Sequence, residues 1–328
     1  PRKADRLAEQ QARIESLERA LWEGDFDDAL LAAYQQAHRD LEALIEAEGG
    51  DQRHAFVVVV PVADSPRQLE TLLNSLLTLC QTFAYGGQRN GRFERVSVLL
   101  ADDSSKAASV AAHRALAAHA TVSGVAVEYF GIDEQLDLLS RLDAGRLQAI
   151  IGHHDAAAFG RKGQAVMRNI AALRLVEIAQ QRANERLIFY TVDVDQTFQI
   201  CFPQKGVRLE RYAISYFHEL DRLFEQNALQ MVTGKVVGDP PVSPAVMAAN
   251  FLDDVECFLT QIAQTTPEAP YAQPNEVDVT DAAYHDMADL FGFAAQRPAY
   301  HYRCESAGSP TNALCFGEFA RRLNGFFH

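Results

Sequence analysis

The chain has 328 residues, 48% of them apolar and 23% charged, a composition that excludes wholesale disorder and suits two ordinary domains or one large α/β domain with appendages. Its net charge of -14, from 30 Lys plus Arg against 44 Asp plus Glu, argues against a nucleic-acid partner, although a local basic patch would still hold phosphate. No apolar run approaches the ~18 residues of a membrane-spanning helix, so no transmembrane segment is expected. The five cysteines, Cys80, Cys201, Cys257, Cys304 and Cys315, are odd in number and widely spaced. That disfavours a disulfide framework or a C-x-x-C site and suits a reducing, cytoplasmic setting. The chain opens at Pro1 without a signal peptide and ends at Phe326-Phe327-His328 without a closing element, so a trimmed piece of a longer chain is expected.

Residues 1–50 read as two amphipathic helices. Leu7, Ile14, Leu17 and Leu21 form one stripe, and Leu30, Tyr34, Leu41, Leu44 and Ile45 another, with Gly24-Asp25 between them and Gly49-Gly50 after. Such a hairpin serves as an oligomerisation element that pairs two copies, as a link to an upstream domain, or as an appendage packed on the main domain.

The texture changes at Phe56-Val57-Val58-Val59-Val60, a continuous β-branched run typical of a strand buried on both faces, with Pro61 as its stop. A helix is expected from Pro66 to Phe83 with Leu69, Leu72, Leu73, Leu76, Leu77 and Cys80 inward, then a polar loop over 86–91. Val96–Leu100 and Val125–Tyr129 read as strands around a helix from Lys106 to His119. Residues 134–149 and 164–182 read as helices, and Leu187–Val192 as a fourth strand. This alternation predicts an α/β fold, a mostly parallel sheet flanked by helices. Beyond 198 the pattern loosens: a helix over 212–226, a strand within 231–238, a helix over 244–264 and a Pro/Thr-rich loop over 265–274 are expected. Three divisions follow: 1–50, a helical extension; 51–265, the catalytic sheet; and 266–328, an acceptor-side or lid segment that includes Ser306 to Asn312.

In a parallel sheet the carboxyl ends of the strands carry the ligand. Asp64, then Asp102-Asp103, then Asp193-Val194-Asp195 stand there. Two carboxylates at alternate positions suit one hard divalent cation, which would stabilise a diphosphate leaving group. The plain alternative is that they solvate a strand end. Gly160-Arg161-Lys162-Gly163-Gln164, with Arg168 beyond, places cations where a loop enters a helix, which favours an anion; the alternative is a solvated loop.

In this order the motifs resemble the GT-A fold nucleotide-sugar glycosyltransferases, most like the family 2 type. Val58-Val59-Val60-Pro61 matches the V-x-V-P opening strand, Asp102-Asp103-Ser104 the acidic pair after the second strand, Arg161 to Asn169 the G-K-G-x-A-x-R type of middle motif, and Asp193-Val194-Asp195 the D-x-D. The match covers roughly 55–260. It implies a Rossmann-like fold and a non-processive, Mg²⁺- or Mn²⁺-dependent transfer of a sugar from a nucleoside diphosphate sugar to an acceptor hydroxyl.

On the resemblance, Asp64 and Asp102 contact the nucleoside, Lys162 and Arg168 lie by the diphosphate, Asp193 is near the donor ribose or sugar, and Asp195 ligates the metal. Asp254 of Asp253-Asp254, with Glu256 beyond, would deprotonate the acceptor. Likeness to retaining glycerate-type enzymes adds His301 as a metal ligand. Departures are Asp64-Ser65 in place of Asn-Glu, the missing Q-x-x-R-W, and the His153-His154-Asp155 interval. The rigid segment Val236 to Pro244 is a candidate acceptor loop. A sugar-nucleotide nucleotidyltransferase is the enzymatic alternative, disfavoured because Val62-Ala63-Asp64-Ser65 replaces a Gly-rich loop. A non-catalytic interaction protein that keeps the fold is the other.

Overall fold

The computed structural model describes residues 3–23, 26–143, 145, 147, 159–160, 162–204, 207–226, 229, 234–237 and 311–314. The chain divides into two compact units, Pro1–Val236 with Pro310–His328, and Val237–Ser309; the sheet and its helices belong to the first. Among the described residues no helix is long and apolar enough to cross a membrane.

The central strand is β1 (Ala55–Val62), buried at every position except the half-buried Pro61. It pairs in parallel with β4 (Val96–Asp102) on one side and β6 (Leu187–Thr191) on the other, and β5 (Ala126–Phe130) lies parallel to β4 on its outer edge. The order β5-β4-β1-β6 makes β1 the strand beside which the winding direction reverses. A crevice at the carboxyl ends of β1 and β6 is where such a sheet holds ligands.

Pro61 does not end the strand as the sequence suggests; it stays in register opposite Ala101. Strand N–H groups alternate sides: Ala55 N–H bonds Arg186 O on the β6 side and Phe56 N–H bonds Arg95 O on the β4 side. Alternation puts the Pro61 nitrogen on the β6 side, past the last pair, Val59–Thr191. The missing donor therefore costs no ladder bond.

Side chains alternate across the sheet as the backbone requires. Val57, Val59, Leu99 and Ala101 join Phe130, Met167, Ile170 and Ile178 in one core cluster. From the other face, Phe56 stacks on Tyr85 and Phe217 at centroid separations of 5.5 and 4.9 Å. Helix α3 (Pro66–Phe83) buries Leu69, Leu72, Leu73, Leu76, Leu79, Cys80 and Phe83. Leu77, expected inward, is half-buried; Leu79 takes that place. Leu76 is 0% exposed, so Leu76→Ala should lower unfolding stability by about 2–5 kcal/mol in urea denaturation.

Helices α4 (Ala107–Val122), α5 (Ile132–Ser140) and α6 (Gln164–Gln181) complete the α/β layers. The 86–91 stretch corrects the expectation of a plain loop. Strands β2 (Gln88–Arg89) and β3 (Arg92–Phe93) form a minimal hairpin. Its turn, Asn90-Gly91, has both φ angles positive, 52° and 76°, the Asn-Gly geometry that matches strand twist. Another antiparallel hairpin, β7 (Ile200–Gln204) with β8 (Val207–Arg211), precedes α7 (Tyr216–Gln226), which starts four residues later than the pattern suggested. Strand β9 (Gly234–Val237) pairs with β10 (Thr311–Leu314).

The N-terminal helices α1 (Lys3–Glu23) and α2 (Asp28–Glu48) form the expected hairpin. Asp27 caps α2, accepting from the amides of Ala29 and Leu30 at 2.6 and 3.0 Å. Of the three roles open to it, packing on the main domain is realised. Tyr34 and His38 lie against Phe83, Gln35 donates to Tyr212 O at 2.8 Å, and Arg39 donates to Thr82 O at 2.7 Å. Glu42, buried, takes a bidentate pair from Arg53 at 2.7 and 2.5 Å.

Candidate functional site

The carboxyl edge of the sheet gathers the acids that the sequence singles out. Asp64, just past β1, has φ +49°, a left-handed conformation that Asp tolerates better than bulkier residues. Its amide donates to Ser104 Oγ at 2.8 Å, and its carboxylate accepts from the Lys106 amide and the Ser105 hydroxyl at 3.1 and 3.2 Å. The turns after β1 and β4 are thereby tied together.

Asp102 and Asp103 are adjacent yet serve different sides of the turn. Asp102 is 1% exposed. Its carboxylate accepts from the Ser104 amide at 2.9 Å, from Tyr129 OH at 2.7 Å, and meets His113 Nδ1 at 2.9 Å. Burial works to raise its pKa, but the hydrogen bonds from His113, Ser104 and Tyr129 outweigh it and hold the carboxyl below its ordinary value. Gln135 Nε2 ties the Asp102 carbonyl to that of Phe130, at 2.9 Å each. In this arrangement both Asp102 oxygens are committed to the interior, whereas the resemblance places it by a nucleobase.

Asp103 reaches the loop before α6 instead. Lys162 Nζ lies 2.5 Å from Asp103 Oδ1 and donates to Phe159 O at 2.9 Å, while the Gly163 amide donates to Asp103 Oδ2 at 3.3 Å. Both side chains of the pair are only 6% exposed. The ammonium also sits 4.3 Å from the Phe159 ring centroid. Gly160 packs on the turn below: a Cβ there would lie 3.6 Å from both Ser104 O and Ser105 Cα. Gly163 opens α6 with φ +86°, where glycine is unstrained.

On α6, Arg168 donates to Asp193 Oδ1 at 2.8 Å, and this pair is open to solvent, 47% and 52% exposed. The loop before α6 and the first turns of α6 therefore span from the end of β4 (Lys162 on Asp103) to the end of β6 (Arg168 on Asp193), across the end of β1. Asp195 is exposed at its surface, but the surrounding protein and then the neighbouring Asp193 charge push its carboxyl above the usual value. The crevice thus carries a carboxylate pair that repels itself, and a guanidinium stands at one member. Oxygen-only donors that keep a net negative charge beside Arg168 suit Mg²⁺ or Mn²⁺ rather than a soft metal.

A different group of potential ligands lies at the opposite, amino edge. His54, Asp221 and Glu225 hold their ligand atoms within 4.8 Å of one another. His54 bonds Asp221 Oδ1 through both its amide and Nδ1, at 2.9 and 2.8 Å, and Arg186 pairs with Glu225. Within that set Asp221 is engaged by His54 and Glu225 by Arg186.

Of the residues expected from sequence, Asp64, Asp102, Lys162, Arg168, Asp193 and Asp195 are gathered at this one edge. Asp254, Asp253, Glu256, His301, the His153-His154-Asp155 interval, Arg161 and the 238–244 segment lie outside the described residues. Sequence reasoning missed Asp103 as the partner of Lys162, although it stood in the quoted motif. It also missed the support of Asp102 by His113, Tyr129 and Gln135, whose spacings carry no local signal. The chain matches no family model, no curated protein and no solved structure.

Proposed function

We propose that the protein is a metal-dependent, GT-A-type glycosyltransferase that moves a sugar from a nucleoside diphosphate sugar to an acceptor hydroxyl. The reading rests on α6, which brings Arg168 to Asp193 at the reversal point of the sheet, beside Asp195. Asp195, with Asp193, would hold Mg²⁺ or Mn²⁺. When bound, the ion supplies charge neutralisation to the departing diphosphate.

The chain's own groups would do the rest. Arg168, exposed at the start of α6, is the cation a diphosphate meets first, and the helix N-terminus adds its partial positive charge. Lys162, held by Asp103, fixes the height of that helix start above the sheet. Asp64 and Ser104 set the floor on which the nucleoside would lie. Asp254 as acceptor base and His301 as a further ligand remain part of the proposal through the resemblance alone.

Thermal shift with UDP, GDP and other nucleoside diphosphates, with and without Mn²⁺, tests the reading. Stabilisation that needs both metal and nucleotide is expected. Turnover of a nucleoside triphosphate with a sugar phosphate would favour the nucleotidyltransferase instead, and no nucleotide response under any condition would overturn both.

A further inference from the structure

Two buried histidines meet where the N-terminal hairpin joins the α/β body. His38 of α2 is 1% exposed and His218 of α7 is 4% exposed. Their rings stand 4.9 Å apart at 80°. Tyr34 and Phe83 close on His38 at 4.7 and 5.3 Å, also edge-to-face. Both ring nitrogens of His38 and Nδ1 of His218 are buried without a hydrogen-bond partner. A neutral imidazole tolerates this, since its one N–H can point at an aromatic face. An imidazolium carries two N–H donors and a full charge; at His38 neither donor would have an acceptor, and at His218 the Nδ1 donor would have none.

We propose that the His38–His218 contact is an acid-sensitive clasp that releases the N-terminal hairpin from the body when the imidazoles are protonated. The charges around it offer no rescue. From the segment before β1, Arg53 faces the rings, and it is paired with Glu42 of α2 and with Asp51 at 2.5 and 2.9 Å. From α7, Arg222 faces them, paired with Glu219 at 3.4 Å and with Glu15 of α1 at 3.7 Å. Glu18 of α1 and Glu219 act on the adjoining Tyr34. Asp221, one turn along α7, is taken by His54. On α3, Cys80 is a buried thiol that stays neutral, its pKa raised by burial.

Burial first, then Arg222 and Arg53, push His38 down to about 3. Burial, then His38 and the same two arginines, hold His218 well below its usual range. A released imidazole takes its proton near pH 6.5. Docking is therefore at full strength above about pH 6.5 and weakens as pH falls from there toward about 3.

The chain's single tryptophan, Trp22, lies on α1 with the Phe26 ring 6.3 Å away, so its emission is a probe placed on the hairpin. Acid titration should show the Trp22 transition at higher pH than the opening of β1, read by pulsed hydrogen exchange of the 55–62 peptide. His38→Phe with His218→Phe keeps the ring packing and should lower the Trp22 midpoint by about one pH unit or more. An unchanged midpoint, or hairpin and β1 opening together in the wild-type chain, overturns the proposal. NMR of the wild-type imidazoles gives an answer without any substitution. Both rings should stay neutral until the Trp22 transition, and protonation near pH 6.5 with the hairpin still docked overturns the clasp.

Discussion

Asp195→Asn should raise the melting temperature of the metal-free protein and, in the same variant, weaken Mn²⁺-dependent nucleotide binding by about 100-fold or more. The first effect follows from charge. The carboxyl of Asp195 is held above its ordinary pKa by partial enclosure and by Asp193. The unfolded chain releases this proton near pH 3.9, so between that pH and the raised folded value the folded state binds more protons and stability falls as pH rises. At neutral pH the charge is a net burden, and an isosteric amide removes it. The second effect follows from the metal site proposed for Asp195. Loss of a residue that only supports a metal ligand typically costs 10–100-fold, and loss of the ligand itself should cost at least as much. Thermal denaturation without metal and calorimetric titration with Mn²⁺ and nucleotide read the two signs separately. A variant that melts lower and still binds would remove Asp195 from the metal site. Opposite signs in one substitution are expected where function is maintained against stability.

How much of this was legible in the sequence depends on how local each cause is. Phe56 to Val60 announced a doubly buried strand because a parallel sheet covered on both faces demands a continuous apolar run. The spacing of Leu69, Leu72, Leu73 and Leu76 gave α3 for the same reason, and the mismatch at Leu77 is one step around the helix. Pro61 misled because its cost depends on which side its nitrogen faces, and that is known only once the end of β6 is known. Asn90-Gly91 was a legible turn signal that the surrounding Gly, Arg and Gln residues masked as loop. The 200–211 hairpin was hidden by Pro203 within one strand and by the Lys205-Gly206 break between them. In the site, strand ends and helix starts were enough to collect the acids and cations at one edge. They were not enough to pair them. Asp102 turns inward because His113, eleven residues on, and Tyr129, on the next strand, close on it. Such partnerships are set by sheet order and helix docking, which no single window of sequence contains.

That pairing decides what Lys162 does, and it predicts a large effect. Lys162→Ala should cost about 3–5 kcal/mol of unfolding stability, because it leaves Asp103 charged and enclosed without its partner. The double variant Asp103→Ala with Lys162→Met should recover much of that loss, since no charge remains buried and the Met chain can fill the space against Phe159. Urea denaturation of the two single variants and the double variant closes the cycle and isolates the coupling between the two residues. A lysine whose first duty is to bind phosphate would behave otherwise. Its removal would weaken nucleotide binding and relieve the protein of a cation, with little loss of stability. In the arrangement seen here, Nζ has a carboxylate, a carbonyl and an aromatic face around it. Arg168, half exposed on α6 six residues further along the chain, is not so enclosed. Arg168→Ala should therefore leave stability nearly unchanged, within the range of an exposed ion pair, while weakening nucleotide binding. The two cations of one motif would then separate by function: Lys162 holds the helix start in place, and Arg168 is left to meet the proposed diphosphate.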